Sequence, residues 1–379
     1  MKEWQTKNFS DVLDIKNGRN QKEVESDSGE YPIYGSAGNV MGYANSYICE
    51  AGTTIVGRKG NINSPIYAET RFWNVDTAFG LAAKPGLDSK FLYYYCISYD
   101  FSALNRGTTI PSLVKSELLG ISIPFPPLPE QHRIVAILDA AFDHITTARA
   151  NCEANLLNAR AIFESHLQAV FTQRGDGWVQ RPLSELCEVK HGFAFKSEFF
   201  TFEGEYVLLT PGNFYETGGY RDRGEKQKYY AGEIPSDYVL NEGDLLVAMT
   251  EQAAGLLGSS VLVPESDRFL HNQRLGLVTP KAGIPWLNEF FFYVFNTQGV
   301  RQAIHESATG LKVRHTSPTK IGEVVVSFPT SIAKQRSIVS TFNDFHVETQ
   351  RLESLYQRKL QALDDLKKSL LHQAFSGLL

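Results

Sequence analysis

Two stretches of the chain repeat apolar or small residues at alternating steps of four and three, the spacing of a coiled-coil seam. The first seam contains Ile134, Leu138, Ala141, Ile145, Ala148 and Cys152, then shifts by one step to Leu156, Ala159, Phe163, Leu167 and Val170. The second contains Ile338, Phe342, Phe345, Thr349, Leu352, Tyr356, Leu360, Leu363, Leu366 and Leu370. Each stretch predicts a helix of roughly 60 Å, longer than an ordinary core helix. We expect the two helices to pair antiparallel, with a dimerisation coiled coil as the alternative.

The rest of the sequence alternates short β-type runs with glycine- and asparagine-rich turns. Examples are "YPIYGSAGNVMGY" (31–43) and "TTIVGRKGNINSPIYA" (53–68) in the first half, and "GEYVLLTPGNF" (204–214) in the second. An amphipathic helix is predicted at 89–104, and another at 287–304. Each half is therefore expected to be an α+β domain with a curved, mostly antiparallel sheet.

The pattern occurs twice. "EQHRIVAILDAAFDHI" (130–145) aligns with "KQRSIVSTFNDFHVET" (334–349), which places Gln131 on Gln335 and Leu138 on Phe342. "WQTKNFSDVLDIKNG" (4–18) aligns with "WVQRPLSELCEVKHG" (178–192). The chain is therefore predicted to be a duplication of a globular domain followed by a long helix.

A proline run marks the entry to the first helix, and "SFPTSIAKQ" (327–335) is its lighter counterpart in the second copy. Proline is excluded from helix interiors, so the run predicts a stiff junction between domain and helix. The prolines are Pro124, Pro126, Pro127 and Pro129. The predicted divisions are globular domains at 1–125 and 176–329 and long helices at 126–175 and 330–379.

Composition narrows the class of protein. No stretch approaches the roughly 20 apolar residues of a membrane span, and the first residues show no secretory signal, so a cytoplasmic protein is expected. The four cysteines are far apart, which argues against a disulfide framework or a zinc site. The net charge is −5 and the pI about 6.0. An acidic chain that binds DNA would need a partner to share the phosphate contacts.

The motifs of catalysis are missing from the sequence. There is no [ND]PP[YF] motif of adenine methyltransferases, no phosphate-binding GxxxxGK[ST] loop, and no HExxH or GxSxG. We therefore predict no catalytic residue, no metal and no cofactor on this chain, and a role in positioning other subunits.

Four features resemble the specificity subunits of type I restriction-modification systems. They are the duplication, "PFPPLPEQHRIVAILD" (124–139), "GTTIPSLVKSELLGISIP" (107–124) and "IVGRKGNINS" (55–64). The resemblance implies two tandem target recognition domains, each binding half of a split DNA site, separated by two long helices that set the spacing. It further implies that the helices dock two adenine-methyltransferase subunits, which carry S-adenosylmethionine, and that a motor-nuclease subunit can join. The second junction, "PTSIAKQRSIV" (329–339), departs from the PLPEQ pattern.

Arg or Lys recognises guanine, Asn or Gln recognises adenine, and Ser or Thr adapts to either, when loops present them to DNA. In the first half the candidates are Arg58, Lys59, Asn61, Asn63, Asn105, Arg106, Thr108 and Thr109. In the second half they are Arg221, Arg223, Lys228, Thr250, Gln252, Asn272, Gln273, Arg274, Lys312, Arg314 and His315. A solvated surface turn is the alternative for each group.

Contact with the methyltransferase partner is predicted through Gln131, Arg133, Gln335 and Arg336, in the first turns of the two long helices. Two other functions stay open at this point. One is a divergent DNA-modifying enzyme, and the other is a coiled-coil scaffold whose two domains bind other ligands.

Overall fold

The computed structural model of the protein describes residues 4–251, 255–310 and 313–379. The chain divides into two compact units. The first is formed by Met1–Asn155 together with Leu355–Leu379, and the second by Leu156–Ser354. No helix in the described part is long and apolar enough to cross a membrane.

The first unit combines short strands, short helices and parts of two long helices. Its strands are β1 (Gln5–Asn8), β2 (Leu13–Asn17), β3 (Tyr31–Tyr34), β4 (Val40–Ala44), β5 (Thr53–Gly57), β6 (Ile66–Ala68), β7 (Trp73–Asn74), β8 (Ala78–Ala83) and β9 (Ser122–Phe125). Its helices are α1 (Phe9–Val12), α2 (Ser89–Ser98), α3 (Lys115–Leu119) and the beginning of α4 (Leu128–Gln173), with a 3₁₀ turn at Phe101–Leu104.

The main sheet of this unit is antiparallel, with strand order β2-β8-β5-β6. A second sheet, β4-β3-β7, joins one antiparallel and one parallel pair, and β1 pairs with β9. Strand β5 is buried at every position, as its β-branched sequence "TTIVG" favours. Helix α2 is capped by Asp88, whose carboxylate accepts from the N–H of Phe91 at 2.8 Å.

The second unit repeats this plan. Its strands are β10 (Trp178–Pro182), β11 (Cys187–His191), β12 (Phe200–Thr201), β13 (Tyr206–Leu208), β14 (Tyr229–Tyr230), β15 (Leu245–Ala248), β16 (Thr250–Glu251), β17 (Ser260–Leu262), β18 (Phe269–Leu270), β19 (Leu275–Pro280), β20 (Arg314–His315) and β21 (Val325–Pro329). Its helices are α5 (Leu183–Leu186), α6 (Asn288–Asn296), α7 (Gln298–Ser307), α8 (Pro318–Gly322) and the beginning of α9 (Ile332–Ser376). Its 3₁₀ turns are Ser197–Phe199, Pro211–Asn213, Gly224–Lys226 and Ser236–Tyr238.

The main sheets of the two units correspond strand by strand, and two further strand pairs also match. The order β11-β19-β15-β17 matches β2-β8-β5-β6, and the parallel pair β13–β18 matches β3–β7. The pair β10–β21 matches β1–β9. The predicted duplication and the α+β class are confirmed.

The long helices α4 and α9 pair antiparallel within each unit, as predicted. In the first unit, Arg149 of α4 forms an ion pair with Asp364 of α9. In the second, Arg160 forms an ion pair with Glu353 at 3.2 Å, and Phe171 lies against Phe342. Exposed ion pairs stabilise little. The seam is held mainly by buried apolar positions, which are Ile134, Leu138, Leu371 and Ala374 in the first core and Leu167, Val339 and Phe342 in the second.

Candidate nucleic-acid interface

One end of the main sheet in the first unit brings three segments together. Arg58 and Lys59 follow strand β5, and the N–H of Arg58 donates to the carbonyl of Thr77 at 2.7 Å, in the turn before β8. On the other side, the N–H of Leu113 donates to the carbonyl of Arg58 at 2.9 Å. The two stretches of predicted DNA-binding residues in this unit therefore lie next to each other.

Arg58 and Lys59 present their charges differently. Arg58 is half-buried, its Nη1 donates to the carbonyl oxygen of Asp76 at 3.4 Å, and its guanidinium lies 5.7 Å from the ring centroid of Phe79. Lys59 is exposed. Arg58 is thus preorganised in direction, as recognition of a base requires, whereas Lys59 is suited to a phosphate.

Asn63 braces a loop with its whole side-chain amide. Its Nδ2 donates to Asp100 Oδ1 at 2.8 Å and to Ser102 Oγ at 2.7 Å, while its Oδ1 accepts from the N–H of Phe101 at 2.7 Å. Hydrogen bonds from the backbone and hydroxyl of Ser102, and from Asn63, lower the pKa of Asp100. Both Nδ2 hydrogens are used, so Asn63 could recognise adenine with its amide N–H only by giving up one of these contacts.

Asn105 and Arg106 are also engaged within their own loop. Asn105 Oδ1 accepts from the N–H groups of Gly107 at 2.9 Å and Ser112 at 2.8 Å. Arg106 Nε donates to Glu117 Oε1 at 2.8 Å. The remaining predicted residues of this unit are exposed: Lys59, Asn61, Thr108 and Thr109.

Arg19 lies beside the turn between β7 and β8, and it is not among the residues predicted to bind DNA. Its N–H donates to the carbonyl of Asn74, and its carbonyl accepts from Trp73 Nε1, both at 3.0 Å. Its side chain is exposed. The available signal was the polar, basic stretch "NGRNQK" (17–22) directly after a predicted strand.

Two aligned glycines hold the equivalent turn in each unit. A Cβ on Gly18 would lie 1.8 Å from the carbonyl oxygen of Val75, and a Cβ on Gly192 would lie 2.2 Å from that of Asn272. Real Cβ atoms do not approach so closely, so only glycine allows the strand end to pack against the turn. The same close contact therefore fixes the turn between β7 and β8 and the turn between β18 and β19.

The second unit builds the same three-segment arrangement. The N–H of Met249 donates to the carbonyl of Arg274, and the N–H of Thr316 donates to the carbonyl of Met249, both at 2.9 Å. Strand β16 pairs with β20 and sets Thr250 opposite His315. The predicted residues Thr250, Arg274 and His315 are therefore neighbours at this end of the sheet.

The turn "HNQR" divides its residues between the core and the surface. Asn272 is buried, and its Oδ1 accepts from the N–H of Arg274 at 3.0 Å, while Gln273 and Arg274 are exposed. His271 is fully buried, with Nε2 2.9 Å from the carbonyl of Leu275. Since that oxygen can only accept, Nε2 carries the proton. Burial lowers the pKa of His271 to about 4. At neutral pH it is an uncharged anchor that presents its two exposed neighbours.

A buried carboxylate ties together the loops around β16 and β20. Glu251 Oε2 accepts from the backbone N–H groups of residues 255–257 at 2.9–3.1 Å, and its Oε1 lies 3.3 Å from His305 Nε2. The guanidinium of Arg314 donates to His305 Nδ1 at 2.8 Å and to the His305 carbonyl at 2.7 Å. Arg314 is half-buried and belongs to this network, whereas its neighbour His315 is exposed.

Arg221, Arg223 and Lys228 lie in the segment between β13 and β14, outside the three segments just described. The N–H of Arg221 donates to the carbonyl of Asn213 at 2.7 Å, and Lys228 Nζ lies 5.3 Å from the ring centroid of Phe200. Arg223 is half-buried, whereas Arg221 and Lys228 are exposed. Two further predicted residues lie outside the described part of the chain: Gln252 and Lys312.

The aligned glutamines at the start of the long helices are buried. Gln131 Nε2 donates to the carbonyls of Gly86 at 3.0 Å and Pro126 at 2.8 Å, and its Oε1 accepts from the N–H of Asp88 at 2.7 Å. Gln335 repeats this contact, as its Nε2 donates to the carbonyls of Pro285 and Pro329 at 2.8 and 2.9 Å. Through these hydrogen bonds, Gln131 links the junction before α4 to the loop before α2, and Gln335 links the junction before α9 to the loop before α6. Of the four residues predicted to contact a partner, the two arginines, Arg133 and Arg336, are exposed.

The described residues hold no cluster of three or more His, Cys, Asp or Glu side chains that could bind a metal. Burial raises the pKa of the Cys49 and Cys187 thiols to about 12. These thiols are therefore protonated at neutral pH and unsuited to nucleophilic chemistry.

Comparisons with known proteins agree with this arrangement. The family model described as the type I restriction modification DNA specificity domain matches residues 1–154 and 175–361. A Haemophilus influenzae protein, named as a type I restriction enzyme specificity subunit, is 33% identical over 145 residues, covering 36% of this chain and 37% of that protein. The EcoBI type I restriction enzyme specificity subunit of Escherichia coli is 23% identical over 204 residues, covering 53% and 39%. The matches thus span less than half the length of these two relatives.

Among solved structures, the chain is similar to one that carries the description "Structural basis underlying complex assembly and conformational transition of the type I R-M system". The TM-score is 0.78, with 17% identity, and the alignment covers 100% of this chain and 99% of the other. At this identity the likeness shows that the two chains share a fold.

Proposed function

The chain belongs to the type I restriction-modification DNA specificity family, and we propose that it is the DNA-recognition subunit of a type I restriction-modification complex. In this proposal each unit recognises one half of a split DNA site, and the helices α4 and α9 set the spacing and carry the partner subunits. The chain itself is non-catalytic.

One observation carries the proposal: the chain builds the same three-segment arrangement twice and fills it with different side chains. In the first unit the candidate residues Arg58 and Lys59 lie on the segment after β5, whereas in the second unit Gln273 and Arg274 lie on a different segment, the turn before β19. A shared backbone with different hydrogen-bonding groups is what recognition of two different short sequences requires. The exposed cationic and amide groups on these loops also suit phosphate and base contacts.

Partners follow from the charge and from the missing catalytic motifs. The chain has 37 Lys and Arg against 42 Asp and Glu, so the complex needs additional positive charge to hold DNA. We propose two adenine-methyltransferase subunits as that source, with S-adenosylmethionine bound to them, and a motor-nuclease subunit as a further member. The site of action is proposed to be the cytoplasm.

The test is a map of methylated adenines. The chain is expressed with its neighbouring methyltransferase in a host that lacks adenine methylation, and modified bases are located by single-molecule sequencing. We expect a split motif, two short half-sites around a fixed gap, only when the chain is present. A continuous motif, or the same motif without the chain, would contradict the proposal.

Arg58 and Arg274 provide a matched pair for assigning the half-sites. Each substitution, Arg58→Ala or Arg274→Ala, is expected to weaken specific binding by about 1–3 kcal/mol, because a charged contact to a guanine edge is lost. Each should relax preference in one half-site and leave the other unchanged in the methylation map. An unaltered motif in both variants would remove these two residues from the interface.

Arg133 and Arg336 provide the test of partner docking. Arg133 is exposed, forms an ion pair with Glu130 at 2.8 Å, and donates to the carbonyl of Leu379 at 2.7 Å. Reversing the charge in Arg133→Glu and Arg336→Glu is expected to lower recovery of the methyltransferase in co-purification at least about tenfold, since like charges across an interface cost several kcal/mol. Arg268→Glu is the matched control, because Arg268 also pairs with a glutamate three residues away. Equal recovery from all variants would exclude docking at these helix starts.

A further inference from the structure

The backbone of Gly107 and the backbone of Ile110 lie in close contact across one short loop. A Cβ on Gly107 would lie 1.8 Å from the carbonyl oxygen of Ile110, and the N–H of Arg106 donates to the carbonyl of Ser112 at 2.9 Å. The loop is also fixed from outside, because the N–H of Gly60 donates to the carbonyl of Pro111 at 2.9 Å. The tip of the loop is therefore held in one place beside the turn that carries Lys59.

The second unit shows a similar close contact at the equivalent place. A Cβ on Gly310 would lie 2.1 Å from the carbonyl oxygen of Val313, and the N–H of Thr309 donates to the carbonyl of His315 as that of Arg106 donates to the carbonyl of Ser112. In both units a glycine is thus followed three residues later by a β-branched apolar residue whose carbonyl lies close to it. A repeated device at the proposed DNA-binding end of each sheet indicates a role in that function.

The hydrogen-bonding side chains at the base of the first loop are already occupied. Asn105 uses its carbonyl oxygen for two backbone N–H groups and its Nδ2 for the carbonyl of Gly107, and Arg106 is paired with Glu117. What the tip offers to a ligand is a run of exposed side chains, Thr108, Thr109 and Ile110, followed by the exposed Pro111. Ile110 is 60% exposed, so its apolar surface is available to a ligand.

These three side chains have one chemical property in common: each is β-branched and carries a methyl group on Cβ. Branching restricts χ1, so the methyl groups are held without the entropy loss of a flexible side chain. In the DNA major groove the one apolar group that distinguishes a base pair is the C5-methyl of thymine, and threonine methyls and apolar side chains are its usual partners. The cationic neighbours Arg58 and Lys59 favour DNA over an apolar protein surface as the ligand.

We propose that the Thr108–Thr109–Ile110 tip recognises the C5-methyl group of thymine in the half-site bound by the first unit. The proposal rests on the proposed function. It also gives a role in base recognition to Ile110, an apolar residue that a search for hydrogen-bonding side chains does not select.

The test uses the full complex of this chain with its methyltransferase and the split motif from the methylation map. Each thymine of the first half-site is replaced in turn by deoxyuridine, which removes only the methyl group, and Kd is measured by competition. The wild-type complex is expected to bind at least one of these sites about fourfold more weakly, the equivalent of about 0.8 kcal/mol for one buried methyl group.

The variants Thr108→Ser, Thr109→Ser and Ile110→Ala complete a double-mutant cycle. At the sensitive position, one of them is expected to bind thymine about fourfold more weakly than wild type and to show no further loss with deoxyuridine. Deoxyuridine in the second half-site serves as the control and should affect wild type and variants equally. All three positions are at the surface, and serine keeps the hydroxyl, so folding should be retained.

Several results would overturn the inference while leaving the proposed function standing. They are a first half-site without thymine, no loss with deoxyuridine in the wild type, or the same loss in the wild type and in every variant. Failure of the proposed function looks different, because no split methylation motif would then depend on the chain.

Discussion

Replacing Gln131 by leucine is expected to lower the free energy of unfolding of the first unit by about 3–5 kcal/mol. The substitution keeps the volume but removes three hydrogen bonds, leaving the carbonyls of Gly86 and Pro126 and the N–H of Asp88 without their partner. Each buried polar group left unpaired costs about 1–3 kcal/mol. Asp88 also caps helix α2, so the loss should reach that helix. Chemical denaturation combined with hydrogen exchange in α2 is the measurement.

The duplication supplies the control for this prediction. Gln335→Leu removes only two hydrogen bonds, and Gln335 Oε1 is already without a partner among the residues the structure describes. We expect a smaller loss, about 2–3 kcal/mol, confined to the second unit. Equal losses for the two variants, or a loss below about 1 kcal/mol for Gln131→Leu, would contradict the assignment of Gln131 as the fastening of its junction.

Acidification is expected to destabilise the second unit through His271. The pKa of this buried imidazole is lowered to about 4 from the ordinary value of 6.5, so the unfolded chain binds the proton more readily. The stability that the uncharged His271 contributes to the folded unit is therefore fully present above pH 6.5, and it is lost progressively as the pH falls toward 4. The shift corresponds to about 3 kcal/mol. The measurement is the free energy of unfolding between pH 7.5 and 4, together with DNA binding, because His271 anchors the turn that presents Arg274.

His271→Gln and His144→Gln separate this contribution from the rest of the acid response. Glutamine at 271 can still donate to the Leu275 carbonyl but does not titrate, so the variant should lose stability less steeply below pH 6.5. His144 is exposed on α4, so His144→Gln is the control for replacing a histidine at the surface. Parallel profiles for all three proteins would show that His271 does not govern the response.

The long-range plan of the fold was accessible from the sequence because its signals are strong and repeated. The four-three seam marks two helices, and the match of Leu138 with Phe342 shows that they belong to copies of one unit. Prolines fix where the first helix begins. The strand runs are flanked by glycines such as Gly18, where a close backbone contact excludes any residue with a Cβ. Patterns of this kind reflect backbone geometry, which local sequence specifies directly.

The roles of individual polar residues were less accessible, because residue type does not reveal which hydrogen bonds are already used. Asn63 and Asn105 have the groups that recognise adenine, yet the structure engages those groups in bracing loops. Gln131 stands in a first helical turn, where exposure is usual, but the junction folds over it. For Asn63 and Gln131 the outcome depends on residues 37–45 positions away, which a local pattern does not include.

The division of the chain between the units has a consequence for biosynthesis. Residues 355–379 supply Leu371 and Ala374 to the first core, and Phe375 packs against Phe91 with ring centroids 5.1 Å apart. A ribosome releases these residues only after the whole of 156–354, which forms the second unit from one continuous segment. The second unit can therefore complete its core during translation while the first waits with an open face, and the nascent chain should need most protection around the segment made earliest.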